Sequence, residues 1–376
     1  MIFFIKPNLQ ESAYTTNICS SWTESTINSI MKLYLENLNE HLDSKGYVFI
    51  PGHKYHELLL YFGASIEDLT KVESGYIHQL VNKDREESMS FRQVAFHRML
   101  LEDEEDQGDS RGIALHSDST LLKSDQTEAT NLFVSEKNSD IKRSAKVSPA
   151  NREAVSQIID EEICSDSRVK ISFKRSGTRV YNLPPPEYVV STLPEAMAKL
   201  HDYFQPASHQ HQSNLNQNSK TTIDDQVLIR INKDDENAEP TPEGIHQDGT
   251  EISSITLVGR KNVLKGRGGE SRIWNLKQPG GNYDSDKFGE MKNDNQTSPV
   301  HHDFAWNNCL FDYALESPWE TIIFNDRKVK HEARSFFRDE ENVPCYRDVI
   351  VNFVRKPLLD GSDTKLVNGI KEETIV

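Results

Sequence analysis

Residues 240–249, PTPEGIHQDG, carry the most informative pattern in this sequence. His246 and Asp248 are separated by one residue, and on an extended strand such residues project from the same face because side chains alternate. Gln247 then points to the other face. An imidazole beside a carboxylate supplies two of the three ligands of a facial triad, whose open positions suit Fe(II) in oxygenases. The third ligand should be a histidine far along the chain.

The tripeptide His-x-Asp alone discriminates little, because this sequence contains it four times. The copy at His41 closes a predicted helix, where positions i and i+2 do not share a face. The copies at His116 and His301 lie in polar segments that offer ligands no rigid support. Only the copy at His246 borders a predicted strand and precedes further strands, so context selects it.

His331 is the candidate for the third ligand. Residues 319–324, WETIIF, have the composition of a strand, and residues 325–327, NDR, that of a turn. Residues 328–331, KVKH, then predict the next strand. The pattern therefore places His331 at the end of a hairpin.

Arg347 opens the last predicted strand, residues 346–353 with the sequence YRDVIVNF. Alternation puts it on one face with Val349, Val351 and Phe353. An arginine at the mouth of an apolar face needs a partner, since an unpaired buried charge is costly. A carboxylate bound through two hydrogen bonds fits the guanidinium better than an ammonium group.

Short strand-like segments dominate the second half of the chain and are separated by turn residues. They favour a mainly β fold, a sandwich or barrel, with the predicted helices at about 24–42 and 55–71 packed outside it. The strand-like segments are residues 169–173, 226–232, 253–258, 271–276, 310–313, 321–324 and 348–354.

Composition excludes several classes of function. The 376 residues include 43 basic and 59 acidic side chains, a net charge of −16, which disfavours binding to nucleic acid or to anionic membranes. Four widely spaced cysteines without a CxxC pair argue against a disulfide framework or a zinc ribbon. The apolar start of the chain is only five residues long, and no later run is long enough to span a membrane. These features predict an intracellular, cytoplasmic protein.

The order His246-x-Asp248, His331, Arg347 resembles the Fe(II)/2-oxoglutarate-dependent dioxygenases, which are built on a double-stranded β-helix, a jelly-roll or cupin-like barrel. Four stretches are similar to the bacterial group that hydroxylates free L-amino acids, typified by L-isoleucine dioxygenase. They are GIHQDG at 244–249, GGES at 268–271, PWET at 318–321 and YRDV at 346–349. The likeness covers residues 226–356, and more faintly residues 45–50.

The resemblance implies roles for individual residues. His246, Asp248 and His331 would bind Fe(II), and Arg347 would hold the C5 carboxylate of 2-oxoglutarate, the cosubstrate used together with O₂. The expected reaction hydroxylates a small substrate, a free L-amino acid, and releases succinate and CO₂. In the resembling family, an arginine placed like Arg230 would bind the substrate carboxylate. A salt bridge within the sheet is an equally good alternative for Arg230.

The resemblance also implies one dioxygenase domain over residues 24–360, with its barrel mainly at 165–357. Polar inserts are expected at about 102–149, 208–222 and 279–303, and a tail at 361–376. The sequence departs from the family in the 85 residues between His246 and His331, a wide interval, and in Val349, where many dioxygenases have a hydroxyl residue. Three alternatives stay open: an oxygenase of this fold acting on a protein side chain or another metabolite, a non-catalytic binding module, and a cupin-type metalloprotein that uses a different cosubstrate. The oligomeric state is not predicted.

Overall fold

The structure is a computed structural model, and it divides the chain into two units, residues 1–40 and 41–376. The residues it describes are 24–74, 92–103, 113–116, 158–163, 168–173, 177–182, 184–204, 219, 221–232, 240–241, 244–281 and 306–357. No helix within these ranges is long and apolar enough to cross a membrane.

The helices are few and mostly early. They are α1 (Glu24–Lys45), α2 (Gly52–Tyr61), α3 (Ile66–Glu73), α4 (Pro186–Val189) and α5 (Leu193–Tyr203). The prediction of one continuous helix over 55–71 was wrong. Gly63 has φ +103°, a conformation that interrupts a helix at little cost only in glycine. Ser65 then caps α3 by accepting a hydrogen bond from the Asp68 N–H.

Fifteen strands are found among the described residues. They are β1 (Tyr47–Ile50), β2 (Arg92–Asp103), β3 (Ile113–His116), β4 (Ile158–Ile163), β5 (Arg168–Phe173), β6 (Gly177–Asn182), β7 (Thr221–Asn232), β8 (Ile252–Lys261), β9 (Val263–Gly268), β10 (Glu270–Asn275), β11 (Cys309–Ala314), β12 (Thr321–Phe324), β13 (Val329–Ala333), β14 (Phe336–Arg338) and β15 (Tyr346–Arg355). The prediction of a mainly β protein is confirmed.

The strands form three sheets. The largest has the order β1-β12-β8-β15-β7-β2-β6-β5-β4, with β3 paired to β2, and the smaller ones have the orders β11-β10-β13 and β14-β9. The pairing is antiparallel except where β2 meets β6. The large sheet therefore includes β1 and β2, which precede residue 165, where the barrel was expected to begin.

The hydrophobic core lies between the large sheet and the two small ones. It brings together Ile231 and Val349 of the large sheet, Ile273 and Val329 of the three-stranded sheet, and Phe336 of β14. Burying each side chain of this kind stabilises the fold by about 2 kcal/mol. Because β15 contributes alternate residues to this core, one of its two faces is the inner face.

The connection from β12 to β13 differs from the prediction. β12 pairs with β1 and β8 in the large sheet, whereas β13 pairs with β10 in the three-stranded sheet. The two strands are therefore not a hairpin, and the turn at residues 325–328 carries the chain from one sheet to the other. His331 consequently lies on the three-stranded sheet, across the core from β15.

The predicted polar inserts lie largely outside the described residues. The exceptions within 102–149 are the end of β2 and all of β3, which pair with each other. Within 208–222 they are residue 219 and the start of β7, and within 279–303 they are residues 279–281. The predicted tail at 361–376 lies outside the described residues.

Candidate metal centre

Two separate segments bring three ligand-type side chains together. His246 and His331 form an isolated bridge, in which each main-chain N–H donates to the carbonyl of the other, at 3.0 and 2.9 Å. Asp248 follows in the same loop as His246. One ligand atom from each of these three residues lies within 4.8 Å of the others, and both histidines are buried.

The segment around His246 is not a regular strand, unlike the expectation for an alternating His-x-Asp pair. It is a short stretch of bridges between two glycines with positive φ, Gly244 at +69° and Gly249 at +80°. Thr241 extends the contact with β13, because its hydroxyl both donates to the Ala333 carbonyl and accepts from the Ala333 N–H. The edge of β13 thus positions the loop that carries His246 and Asp248.

Both histidines direct Nε2 at the same carboxylate. His246 Nδ1 lies 2.7 Å from the Gly244 carbonyl oxygen, so Nδ1 carries the proton and the lone pair that can coordinate a metal is on Nε2. His246 Nε2 lies 3.5 Å from Asp248 Oδ1, and His331 Nε2 lies 3.2 Å from Asp248 Oδ2. The Phe324 ring packs on His331 with 4.6 Å between ring centres, which restricts rotation of the imidazole.

At the candidate metal centre, burial and the neighbouring charges shift the pKa values of the side chains in opposite directions. Burial alone would raise the pKa of Asp248, but the imidazoles of His331 and His246 outweigh it and hold the pKa below its usual range. Burial would lower the pKa of His331, but the carboxylates of Asp248 and Asp326 raise it to about 10. A metal bound here would replace the His331 proton, because only neutral imidazole coordinates. Two imidazoles and one carboxylate form the donor set that suits Fe(II) with open positions.

Arg347 faces the same interior. Its register partner on β7 is Ile231, a core residue, as alternation along β15 predicted. The side chain is 2% exposed, one Nη2–H donates to the Ser271 hydroxyl at 3.2 Å, and Nε has no hydrogen-bond partner among the residues that the structure describes. Burial and the nearby Arg260 charge lower the pKa of Arg347 to about 10. Among the side chains that the structure describes, no carboxylate lies within ion-pair distance of it.

The sheet register relates Arg347 to the triad. Ser271, which accepts from Arg347, is two residues from Ile273 on β10, and Ile273 is the register partner of His331. Two residues along a strand span about 7 Å and point to the same face. The guanidinium of Arg347 therefore lies beside Ser271, and His331 lies beside Ile273, the next residue of β10 that points to the same face.

Arg230 is not brought to this site. It pairs in register with Asp348, so its side chain lies on the face of the large sheet opposite to Arg347. Its Nε and Nη2 groups donate to the two oxygens of the Asp348 carboxylate, at 2.7 and 2.6 Å. The guanidinium lies 4.1 Å from the centre of the Tyr346 ring. The structure thus favours the salt bridge over contact with a substrate.

Sequence reasoning assigned no role to two residues of the site. Ser271 was part of the GGES stretch, but only the packing of β10 across from β15 places its hydroxyl beside Arg347. Asp326 was read as part of a turn, yet its side chain is fully buried next to His331. An acidic residue in a short turn gives no sequence signal for burial.

Two buried histidines and one partly buried carboxylate lie together inside antiparallel β-sheets, and a buried arginine faces the same interior. This arrangement resembles the centre of Fe(II)- and 2-oxoglutarate-dependent dioxygenases. Residues 195–353 match the family model described as 2OG-Fe dioxygenase, a segment that contains all four residues. This segment is therefore similar to 2-oxoglutarate-dependent dioxygenases, a class of enzymes that uses Fe(II), 2-oxoglutarate and O₂.

One curated protein and two solved structures are similar to this chain. The bifunctional enzyme flvA of Aspergillus flavus is 26% identical over 133 residues, which are 35% of this chain. The chain spans only 14% of the length of that curated relative. The fold is similar to that of the selenomethionine-labelled Fe(II)/α-ketoglutarate-dependent dioxygenase TqaL, with a TM-score of 0.55, 14% identity and coverage of 90% of this chain and 92% of the other. IDO from Bacillus thuringiensis also matches, at a TM-score of 0.46, 13% identity and coverage of 86% and 98%.

Proposed function

We propose that this chain catalyses the Fe(II)- and 2-oxoglutarate-dependent hydroxylation of a small molecule. His246, Asp248 and His331 are the metal ligands in this proposal, and Arg347 binds the C5 carboxylate of 2-oxoglutarate. The observation that carries it is the convergence of three ligand atoms within 4.8 Å, two of them from buried histidines, on the same interior that Arg347 enters.

The bound Fe(II), with 2-oxoglutarate and O₂, supplies the oxidising chemistry, in which one oxygen atom enters a substrate C–H bond and the other enters the succinate formed with CO₂. The Gly244 carbonyl holds the Nδ1 proton of His246 and so keeps Nε2 available. Arg347 offers a carboxylate an uncompensated charge in a water-poor setting, where charge pairing is strong. Apolar neighbours on the inner face, among them Ile231 and Val349, exclude water.

We also propose that the catalytic domain is a double-stranded β-helix that extends from β1 to β15. The crossing from β12 to β13 supports this architecture, because it places His331 on one sheet and Arg347 on the sheet across the core. The register of β1 with β12 and of β2 with β7 supports including these two early strands.

Free L-amino acids are the substrate class that we propose. The support is the likeness of four short stretches to the amino-acid hydroxylase group, including valine two positions after Arg347. In this proposal, the site binds a small molecule as its substrate. Hydroxylation of a protein side chain or another metabolite is an alternative outcome of the same experiment.

The test uses apo protein loaded anaerobically with Fe(II) and 2-oxoglutarate. A visible charge-transfer absorption band is expected in the wild type and in His53→Ala, a matched control because His53 is exposed on α2. The band should be absent from His246→Ala and from Asp248→Ala. A band of normal intensity in either variant would contradict the ligand assignment.

Substrate class is then tested by admitting air in the presence of a panel of L-amino acids. Amino-acid-dependent succinate, together with a product carrying one added oxygen atom by mass spectrometry, is the expected result. Slow succinate release that no amino acid stimulates would reject the substrate class while keeping the reaction. Absence of the band from the wild type would reject the enzyme itself and favour the binding module.

A further inference from the structure

Asp326 lies at the centre of the turn that joins the two sheets. The turn is held by the Asn325 side chain, which accepts from the Arg327 N–H at 3.0 Å, and by the Asn325 N–H, which donates to the Gly46 carbonyl at 2.8 Å. Asp326 itself is 0% exposed. A fully buried carboxylate is costly unless it is well hydrogen-bonded, so the contacts that Asp326 makes need an explanation.

Those contacts reach both ligand segments of the candidate metal centre. Asp326 Oδ2 accepts from the Gly249 N–H, and the Asp326 main-chain carbonyl accepts from the Gln247 side-chain amide. These two donors flank Asp248. On the other side, Asp326 Oδ1 lies 3.5 Å from His331 Nδ1, an ion-pair distance, and neither atom has a hydrogen-bond partner in the part of the chain that the structure describes.

We propose that Asp326 is a positioning residue for the metal centre, which sets the distance between the Asp248 loop and His331 and holds the His331 proton on Nδ1. The proposal rests on the proposed function, since it concerns the same metal site. Asp326 does for His331 what the Gly244 carbonyl does for His246. A carboxylate in this role also increases the basicity of the imidazole toward a metal.

The chemistry of the two donors explains why the residue is an aspartate. The Gly249 N–H and the His331 Nδ1–H both need acceptors, and a carboxylate offers one oxygen to each. An asparagine of the same shape has only one oxygen. If its oxygen serves Gly249, its amide N–H₂ faces His331 Nδ1 and favours the tautomer that is protonated at Nε2, which cannot coordinate. If its oxygen serves His331, the amide N–H₂ opposes the Gly249 N–H.

Asp326→Asn is therefore the discriminating variant, and Co(II) alone is the probe. Metal-free protein is titrated anaerobically with Co(II), with binding measured by calorimetry and by the visible d–d bands of the ion. We expect Asp326→Asn to weaken Co(II) binding about 10- to 100-fold, the usual effect of losing such a partner. The d–d spectrum of its complex should also differ from that of the wild type, because His331 is less firmly placed.

Asp348→Asn is the matched control, since Asp348 is also buried, yet it pairs with Arg230 on the opposite face of the large sheet. That variant should lose stability and keep the Co(II) affinity and spectrum of the wild type. Equal Co(II) affinity and identical spectra in Asp326→Asn and wild type would overturn the proposal. So would an equal loss of affinity in both variants, which would show a general effect of removing a buried charge.

A second measurement covers the case in which Asp326→Asn does not fold. In Zn(II)-loaded wild-type protein labelled with ¹⁵N-histidine, the His331 Nδ1 proton should be observed, slowly exchanging and shifted downfield by the carboxylate. A rapidly exchanging Nδ1 proton would overturn the role of Asp326. Failure of wild-type protein to bind Co(II) would overturn both this proposal and the proposed function, whereas normal wild-type binding with an unaffected Asp326→Asn would overturn this proposal alone.

Discussion

Replacing Arg347 with methionine should stabilise the metal-free protein while weakening its binding of 2-oxoglutarate. Arg347 is 2% exposed and has one hydrogen bond, to the Ser271 hydroxyl. Its pKa is lowered from the usual value for arginine to about 10, because burial and the Arg260 charge disfavour the cation. Since a tenfold change in an acid dissociation constant is worth about 1.4 kcal/mol, the buried cation destabilises the folded state by about 3 kcal/mol at pH 7.

Methionine fills a similar volume without the charge. Part of that destabilisation should be recovered, so we expect the free energy of unfolding of Arg347→Met to rise by about 1 to 3 kcal/mol. The measurement is equilibrium unfolding in urea without metal or cosubstrate. The same variant loses the charge that pairs with a carboxylate of 2-oxoglutarate, which is worth about 3 kcal/mol, or about 100-fold in affinity. Calorimetry on Co(II)-loaded protein measures that loss.

Arg98→Met is the matched control. Arg98 is equally buried, but it forms a bidentate ion pair with Asp225 at 2.6 and 3.2 Å. Asp225 is six residues along β7 from Ile231, the register partner of Arg347, which places the pair about 20 Å away. Loss of Arg98 leaves the buried Asp225 carboxylate with the more distant Arg355 guanidinium, at 3.6 Å, and should cost about 3 kcal/mol of stability, with no effect on 2-oxoglutarate affinity. The reasoning fails if Arg347→Met is destabilised as much as Arg98→Met and binds 2-oxoglutarate normally.

Three further predictions concern separate features. Ser271→Ala removes the hydroxyl beside Arg347 and should raise the KM for 2-oxoglutarate about three- to tenfold at constant kcat; an unchanged KM would exclude the hydroxyl from that subsite. Gly52→Ala should lower the free energy of unfolding by at least about 2 kcal/mol, because a β-carbon there would lie 2.2 Å from the Pro318 carbonyl oxygen; urea unfolding at wild-type stability would show that the backbone yields. His97 has its pKa lowered to about 4, mainly by burial, so the unfolded chain takes up a proton near pH 6.5 before the folded chain does. Stability should fall by about 3 kcal/mol more in wild type than in His97→Gln between pH 7 and 4. Parallel pH profiles would refute the prediction that this partly buried ring stays neutral in the folded protein.

The sequence was most informative where local rules suffice. A period of two placed Arg347 on the inner face of β15 with Val349, and the register with β7 confirmed it. Strand composition predicted the mainly β fold, because short β-rich segments between turns cannot be packed as helices. The candidates His246, Asp248, His331 and Arg347 were also named from the sequence, since only one of the four His-x-Asp copies borders a predicted strand and precedes further strands. The break between α2 and α3 was missed because a single glycine interrupts an otherwise helical pattern.

Tertiary structure decided what depends on contacts between distant segments. The turn after β12 looked like a hairpin turn, but β13 pairs with β10 instead, and this places His331 opposite the His246 loop. The partner of Arg230 is set by the register of β7 on β15, which no local pattern encodes. Asp326 is a turn residue by composition, and it is buried only because two sheets and the loop of Asp248 close around it. Local propensity acts over a few residues, whereas the metal centre is assembled from side chains 85 positions apart in the sequence.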